Sequence, residues 1–268
     1  VKLNAYSTAL SAMTTVLSLL VVLRLNSKHT NTAMKVPWIM LILVLPVMGL
    51  SLYLLVEILG DPGVGKRLRA VREDMKDEIP QNADAALEHL EQTDLPSANQ
   101  ARYLWNCTRW PVYENTAVTF YAEAKDAFEA MKADLEKAET FIFMEYFIVE
   151  DSTCFWEIED ILVRKQAQGV EVRFLYDDIG SVGKVNMVFA KRLCKEGIAC
   201  RPFNPALPLL NIFLNHRDHR KITVIDGKVG FTGGYNLAEE YFDRKHPYGQ
   251  WKDTGLRLEG EAVRSLTA

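Results

Sequence analysis

Two stretches of 21 residues without a single charge, residues 3–23 and 36–56, restrict where the front of this chain can reside. As helices rising about 1.5 Å per residue, each would span roughly 30 Å, the thickness of a bilayer's hydrocarbon core. The second stretch, VPWIMLILVLPVMGLSLYLLV, carries the stronger signal. Pro37 fits a first helical turn, Pro46 is expected to kink the helix, and Trp38 and Tyr53 fall near its ends, where amphipathic rings favour the interface. The first stretch is richer in Ser and Thr. Together they predict a hairpin of two transmembrane helices within residues 1–60. A cleaved signal peptide fits poorly, because the first stretch is long and the second follows at once. Lys2, Lys66, Arg67, Arg69, Arg72 and Lys76 on one side outnumber Arg24, Lys28 and Lys35 in the hairpin loop. The positive-inside rule then places the rest of the chain in the cytoplasm.

Residues 61–116 read as a polar, helical linker. GDPGVG ends the membrane segment, and Ser97 with Gln100 forms a capping-box pattern after Pro96. Residues 117–268 change character. Ala124, Phe128, Met131, Leu135 and Ala138 recur at helical spacing, TFIFMEYFI reads as a buried strand, and residues 155–167 as a helix. VEVRFLYD is a strand, residues 186–195 a helix, and KITVIDG with KVGFTGG a strand pair turned by Asp226 and Gly227. Strands alternating with helices predict an α/β domain with a mixed, largely parallel sheet flanked by helices.

The net charge of -4 and pI near 5.8 exclude the strong basic excess expected of a nucleic-acid binder. Cys107, Cys154, Cys194 and Cys200 form no CxxC pair, so they read as free thiols rather than as a zinc site or disulfide framework.

The chemistry concentrates in NHRDHRKITVIDGKVGFTGGYN. In a strand, residues two apart share a face, so His219 and Lys221 would present an imidazole and an ammonium side by side to one phosphate. A free imidazole, with a pKa of about 6.5, is a competent nucleophile near neutrality, and a fixed ammonium offsets charge on phosphoryl oxygens. Gly233 and Gly234 leave room for a phosphate, and Asn236 offers an amide donor. Taken singly, each of these residues is more often structural: a sheet-surface histidine, a solvated lysine, turn glycines. Their joint spacing argues otherwise. Asp226 sits in a turn, where Asp commonly bonds local backbone, and a structural role suits it better than a catalytic one. This chemistry calls for no cofactor and no metal.

These residues match the HxKx4Dx6G(G/S)xN signature of the phospholipase D superfamily at every position, His219, Lys221, Asp226, Gly233, Gly234 and Asn236. The hydrophobic hairpin, FIFMEYFI, GVEVRFLYDDIGS, NHRDHRKITVIDG and WKDTGLRLEG, in that order, resemble bacterial cardiolipin synthases over nearly the whole chain. The resemblance implies a phosphatidyltransferase that converts two phosphatidylglycerol molecules to cardiolipin and glycerol through a phosphohistidine. The alternatives it leaves are phospholipase D-type hydrolysis, another headgroup transfer, or a single-motif homodimeric nuclease. The family carries two motif copies and this chain one, so a fragment is expected, its second motif lying in a missing C-terminal half or in a second subunit.

Two further expectations concern the surroundings. A nucleophilic imidazole needs its second nitrogen held as a donor, and Asp253, opening the strand-like DTGLRLEG, is expected to hold His219. The superfamily places an acid at the matching point. Glu145 is the rival acid, and a surface pairing of Asp253 with Lys252 or Arg257 is the bland alternative. In ALPLLNIFLN, residues 206–215, Leu209, Leu210, Ile212 and Phe213 serve either as core or as an exposed lip that touches acyl chains.

Overall fold

A computed structural model describes residues 2–28, 32–59, 84–205 and 217–268. The chain divides into two compact units, Val1–Leu68 and Arg69–Ala268.

The first unit holds helices α1 (Lys2–Ser27), α2 (Thr32–Val44) and α3 (Pro46–Leu59). Within α1, Thr8–Ser27 is the one helix among the described residues long and apolar enough to cross a membrane, with a mean hydropathy of 1.8. The stronger sequence signal did not become one continuous helix. Pro46 has no N–H to donate, and its ring crowds the carbonyl four residues back, so the helix divides at Leu45. The bonding resumes at once: Leu45 N donates to Leu41 O at 2.9 Å and Gly49 N to Leu45 O at 2.7 Å. The two pieces, of 13 and 14 residues, each reach only about 20 Å. A methyl group at Gly49 would lie 2.6 Å from Leu41 O, so the backbone can fold this closely only around a glycine. Leu25, Ile42 and Tyr53 bury one another at the centre of the unit, whereas Leu10, Val16, Leu20 and Leu23 of α1 face outward.

Among the described residues, the second unit opens with α4 (Asp84–Thr93) and α5 (Leu95–Thr108). The start of α5 lies earlier than the expected capping box. Asp94 is the cap, accepting from Ser97 N at 3.2 Å and Ser97 Oγ at 2.6 Å, and Pro96 occupies the first turn, where a missing N–H costs nothing. Ser97 is thus the recipient of the cap and not its source.

The catalytic-type domain then runs β1 (Thr116–Tyr121), α6 (Ala124–Leu135), β2 (Phe141–Tyr146), α7 (Thr153–Ala167), β3 (Glu171–Asp177), α8 (Phe189–Lys195), β4 (Ala199–Phe203), β5 (Lys221–Ile225), β6 (Val229–Gly233), a 3-10 turn (Glu239–Phe242), β7 (Gly255–Gly260) and α9 (Val263–Thr267). The seven strands form one mixed sheet in the order β1-β7-β6-β5-β2-β3-β4. The α/β class is as expected, but the parallel share is smaller. Only β2–β3 and β3–β4 run parallel, and the remaining four pairings are antiparallel. The reason lies in the connections. A parallel pair needs a crossover helix, which α7 and α8 supply, whereas β5 and β6 are joined by a tight turn.

The core lies on one face of the sheet. Ile142, Met144 and Tyr146 alternate inward along β2, as do Val172, Phe174 and Tyr176 along β3, against Phe128, Met131 and Leu135 of α6 and Phe155, Ile158 and Leu162 of α7. Each such burial contributes about 1.5–3 kcal/mol. Cys154 and Cys200 are buried, and Cys107 and Cys194 are exposed.

The β5–β6 turn is locked from outside the hairpin. Asp226 and Gly227 both take positive φ, 53° and 64°, as the two-residue turn requires. The Asp226 carboxylate accepts from the backbone N–H of Glu139, Thr140 and Phe141 at 2.9, 2.7 and 2.9 Å, and from Thr140 Oγ1 at 2.6 Å. It thereby stitches the far end of β5 to the start of β2. These bonds hold its carboxyl below the usual carboxylate range, despite the burial that opposes ionisation. Asp226→Ala, which strips partners from several N–H groups, should lower unfolding free energy by about 1–3 kcal/mol in denaturant melts. Turnover per folded molecule should stay within a few-fold. The same melts should show the wild-type advantage above the unfolded carboxyl pKa, disappearing as pH falls through the lower folded one.

Candidate active site

The strand directions bring the motif to one edge of the sheet. β2, β3 and β4 end there, β5 runs antiparallel to β2 and so begins there, β6 ends there, and β7 begins there. Lys221 pairs with Tyr146 at the end of β2. His219 lies two residues before it, Gly233 and Gly234 lie at the end of β6, and Asp253 lies just ahead of β7. Asp226 is at the other end of β5, about 17 Å away at about 3.3 Å per residue, beyond reach of any phosphate held by Lys221. The bonds its carboxylate makes are to the start of β2, at the opposite end of the strand from Lys221.

Lys221 is buried, and its ammonium is closely held. Nζ donates to the His219 carbonyl at 2.7 Å and stands 5.2 Å from the centroid of the Phe147 ring. Burial lowers its pKa to about 8, against the opposing pull of Asp253 and Asp218. The His219 imidazole is exposed and lies 4.6 Å, centroid to centroid, from the same Phe147 ring. The expected adjacency of the two residues is present, with Phe147 as its shared floor. That role of Phe147, the residue following β2, was not visible in the sequence, where it is one aromatic among several in FIFMEYFI.

Asn236 is buried, and its Oδ1 accepts from Ile148 N at 2.8 Å, which turns the amide nitrogen away from that backbone. The chain beyond Asn236 is anchored by Glu239, which accepts from Thr153 Oγ1 at 2.6 Å and Cys154 N at 2.9 Å and so caps α7. At Gly234 a Cβ would fall 2.2 Å from Asp253 Oδ1, so only glycine admits that carboxylate.

Asp253 does not hold His219. No hydrogen bond joins them among the described residues, and Asp253 Oδ1 accepts instead from the next backbone N–H, Thr254, at 2.8 Å. An Asp beside an unpaired N–H at a strand entry satisfies it locally. Its charge acts on Lys221, favouring the ammonium. The rival, Glu145, is no nearer to His219. It projects from the other sheet face, opposite Ile222, and meets Arg220 at 2.7 Å. Arg220 also bonds Asp218 at 3.0 Å. Burial, and after it the adjacent Asp218, pushes the Glu145 carboxyl up to about 8, while Asp218, despite burial, is held below the usual carboxylate range by its bonds to Arg220. Leu209, Leu210, Ile212 and Phe213 lie outside the described residues.

Residues 131–251 match the family model described as "Cardiolipin synthase, PLD-like domain", and residues 14–57 match the one described as "Phospholipase D-nuclease N-terminal". An uncharacterized protein of Streptococcus mutans is 39% identical over 248 residues, covering 92% of this chain and 53% of that protein. A cardiolipin synthase of Oceanobacillus iheyensis is 32% identical over 237 residues, 85% of this chain and 49% of the relative. Another, of Halalkalibacterium halodurans, is 33% identical over 262 residues, 94% of this chain and 50% of the relative. The chain spans about half the length of the curated relatives it matches. His219, Lys221, Gly233 and Gly234 of the motif gather at one sheet edge, and over these residues the chain is similar to cardiolipin synthases of the phospholipase D superfamily.

Proposed function

We propose that this chain supplies one catalytic half of a cardiolipin synthase, in which His219 is the nucleophile or its acid-base counterpart and Lys221 binds the phosphate. The observation that carries the reading is the Lys221 ammonium, held on the His219 carbonyl and the Phe147 face beside an exposed imidazole. In the forward step an imidazole nitrogen attacks the phosphorus of one phosphatidylglycerol. The bond to the glycerol headgroup oxygen breaks, and that oxygen leaves as glycerol after taking a proton from the second motif's histidine. The hydroxyl of a second phosphatidylglycerol, giving its proton back to that histidine, then displaces His219 and forms cardiolipin. The second motif comes from further sequence or from a second subunit. Asn236 donates its amide to a phosphoryl oxygen and Lys221 offsets the charge gathering there, while Gly233 and Gly234 let the Thr254 carbonyl and the Asp253 carboxylate pack where a Cβ would stand, at 2.5 and 2.2 Å. Asp253 keeps Lys221 charged without touching the imidazole. The apolar helices of the first unit form a multi-pass membrane anchor, with the rest of the chain on the cytoplasmic side.

Incubating the complete protein with phosphatidylglycerol alone and resolving products by mass spectrometry tests the reaction. Cardiolipin and glycerol in equal amounts are expected, and phosphatidic acid in their place would make the enzyme a hydrolase. His219→Ala in that protein should lose nearly all turnover with an unchanged melting profile. A variant with wild-type turnover would remove His219 from the chemistry.

The Lys221 cation sets the alkaline limit. Below about pH 8 the ammonium is present, and above it the free enzyme loses that charge, so kcat/KM should fall on the alkaline side of about pH 8. In Lys221→Arg the cation persists, and the alkaline fall should move up by more than about one pH unit, at a reduced kcat because a planar fork replaces a compact ammonium. Steady-state profiles of both proteins from about pH 6 to about pH 10 measure the shift.

A further inference from the structure

The turn that follows β3, residues 177–181, is bonded to both segments that carry the site. Asp177 is wholly buried. Its Oδ2 accepts from Asp218 N at 3.0 Å, and its Oδ1 accepts from Arg217 Nη1 at 3.2 Å and Gly180 N at 2.9 Å. Arg217 in turn donates to Asn204 O at 2.9 Å. A carboxylate taken entirely out of water survives as an ion only where such partners replace its hydration. Two of those partners, Arg217 and Asp218, are the residues immediately before His219.

The other end of the turn grips the site's floor. Ser181 Oγ accepts from Val149 N at 3.0 Å and donates to Phe147 O at 3.3 Å. Gly180 presses so closely on Phe147 that a Cβ there would lie 2.3 Å from its carbonyl oxygen and 2.7 Å from its ring. One turn therefore sets Phe147 and the entry to β5 against each other.

We propose that Asp177 is a positioning residue for this site, acting through the Asp218 backbone and Arg217 to set the height of His219 over Phe147. The inference rests on the reading that His219 and Lys221 form the phosphate site. The path is short and continuous. Asp177 holds Asp218 N, the next residue is His219, and the His219 carbonyl holds the Lys221 ammonium. A displacement at Asp218 moves the nucleophile and the phosphate-binding cation together. Misplacement by about 1 Å costs on the order of 100-fold in rate.

The test uses the full chain in detergent or vesicles, as the complete protein. Asp177→Asn preserves shape but removes the charge facing Arg217 and turns a donor toward Asp218 N or Arg217. We expect kcat to fall about 100-fold with KM changed by less than about threefold. The rate at which diethyl pyrocarbonate modifies His219, read by peptide mass spectrometry, should change several-fold. This second readout still reports if the protein proves inactive on phosphatidylglycerol, so failure of the proposed reaction is distinguishable from failure of the positioning role. Ile158→Val, in the α7 core and remote from the turn, serves as a control for stability loss alone. Equal kcat and His219 modification in Asp177→Asn and wild type would overturn the proposal, as would losses no larger than those of Ile158→Val at a matched melting temperature. Should Asp177→Asn fail to fold, Arg217→Met and Arg217→Lys decide. The methionine variant should lose kcat by about tenfold and the lysine variant recover part of it, whereas wild-type kcat in both would sink the idea.

Discussion

A positive charge taken halfway out of water is the constraint around which this site is arranged. An ammonium in the sheet's edge layer loses hydration, and its partners have to make up the difference. For Lys221 they are a carbonyl, an aromatic face and two carboxylates that act through space. None is a close counter-ion. A carboxylate bonded directly to Nζ would satisfy the charge and leave nothing for a phosphate. The observed arrangement keeps the cation present near neutrality with no carboxylate bonded to Nζ among the described residues, which is what the proposed phosphate site requires.

That arrangement depends on topology more than on the motif string. Crossover helices make β2, β3 and β4 parallel, so their ends gather at one edge, and the antiparallel β5–β6–β7 series then returns its own functional ends to the same edge. The result divides the motif's labour by length. Five residues of β5 separate the phosphate-binding end from Asp226, whose carboxylate secures the opposite edge by bonding the start of β2. A residue can thus belong to the catalytic motif in sequence while its physical task is to fix the register of the strand that carries the chemistry. In a sheet a slip of one residue would turn His219 and Lys221 to the other face, where Glu145, Asp218 and Arg220 now form their own network.

The parts that were legible in the sequence are those governed by local rules. Strand and helix periodicity foretold β2, α7, β3, β5, β6 and the pairing of DTGLRLEG beside β6, and the Asp-Gly dipeptide foretold the turn. Strands β1 and β4 were missed because their partners are distant in sequence and β1, exposed along most of its length, lacks the alternation that marks a half-buried strand. The parallel share was overestimated because alternation of element types does not reveal which strands become neighbours. In the membrane unit the hydrophobic run was plain, but length was judged without giving Pro46 the weight to divide the helix. At the site, His219 and Lys221 followed from their spacing. Phe147 and the Asp253 contact did not, because side-chain neighbours across strands are set by register.

The same reasoning explains where the charges near His219 have gone. The segment Arg217–Lys221 holds three cations, one acid and an imidazole, and in isolation it would be an exposed, mutually screened run. Folding sorts it by parity. Asp218 and Arg220 pass to the face of Glu145, Lys221 and His219 to the face of Phe147, and Arg217 reaches back to Asp177. Every charged neighbour of the imidazole is thus committed to another partner, and its ring is left in contact with a hydrocarbon surface on one side and open on the other. Among the described residues no acidic side chain is bonded to the imidazole, and the Lys221 ammonium stands over the same Phe147 ring. The acids close to the motif favour the cation from a distance, and because they are bonded elsewhere they do not compete for the position that a phosphate would occupy.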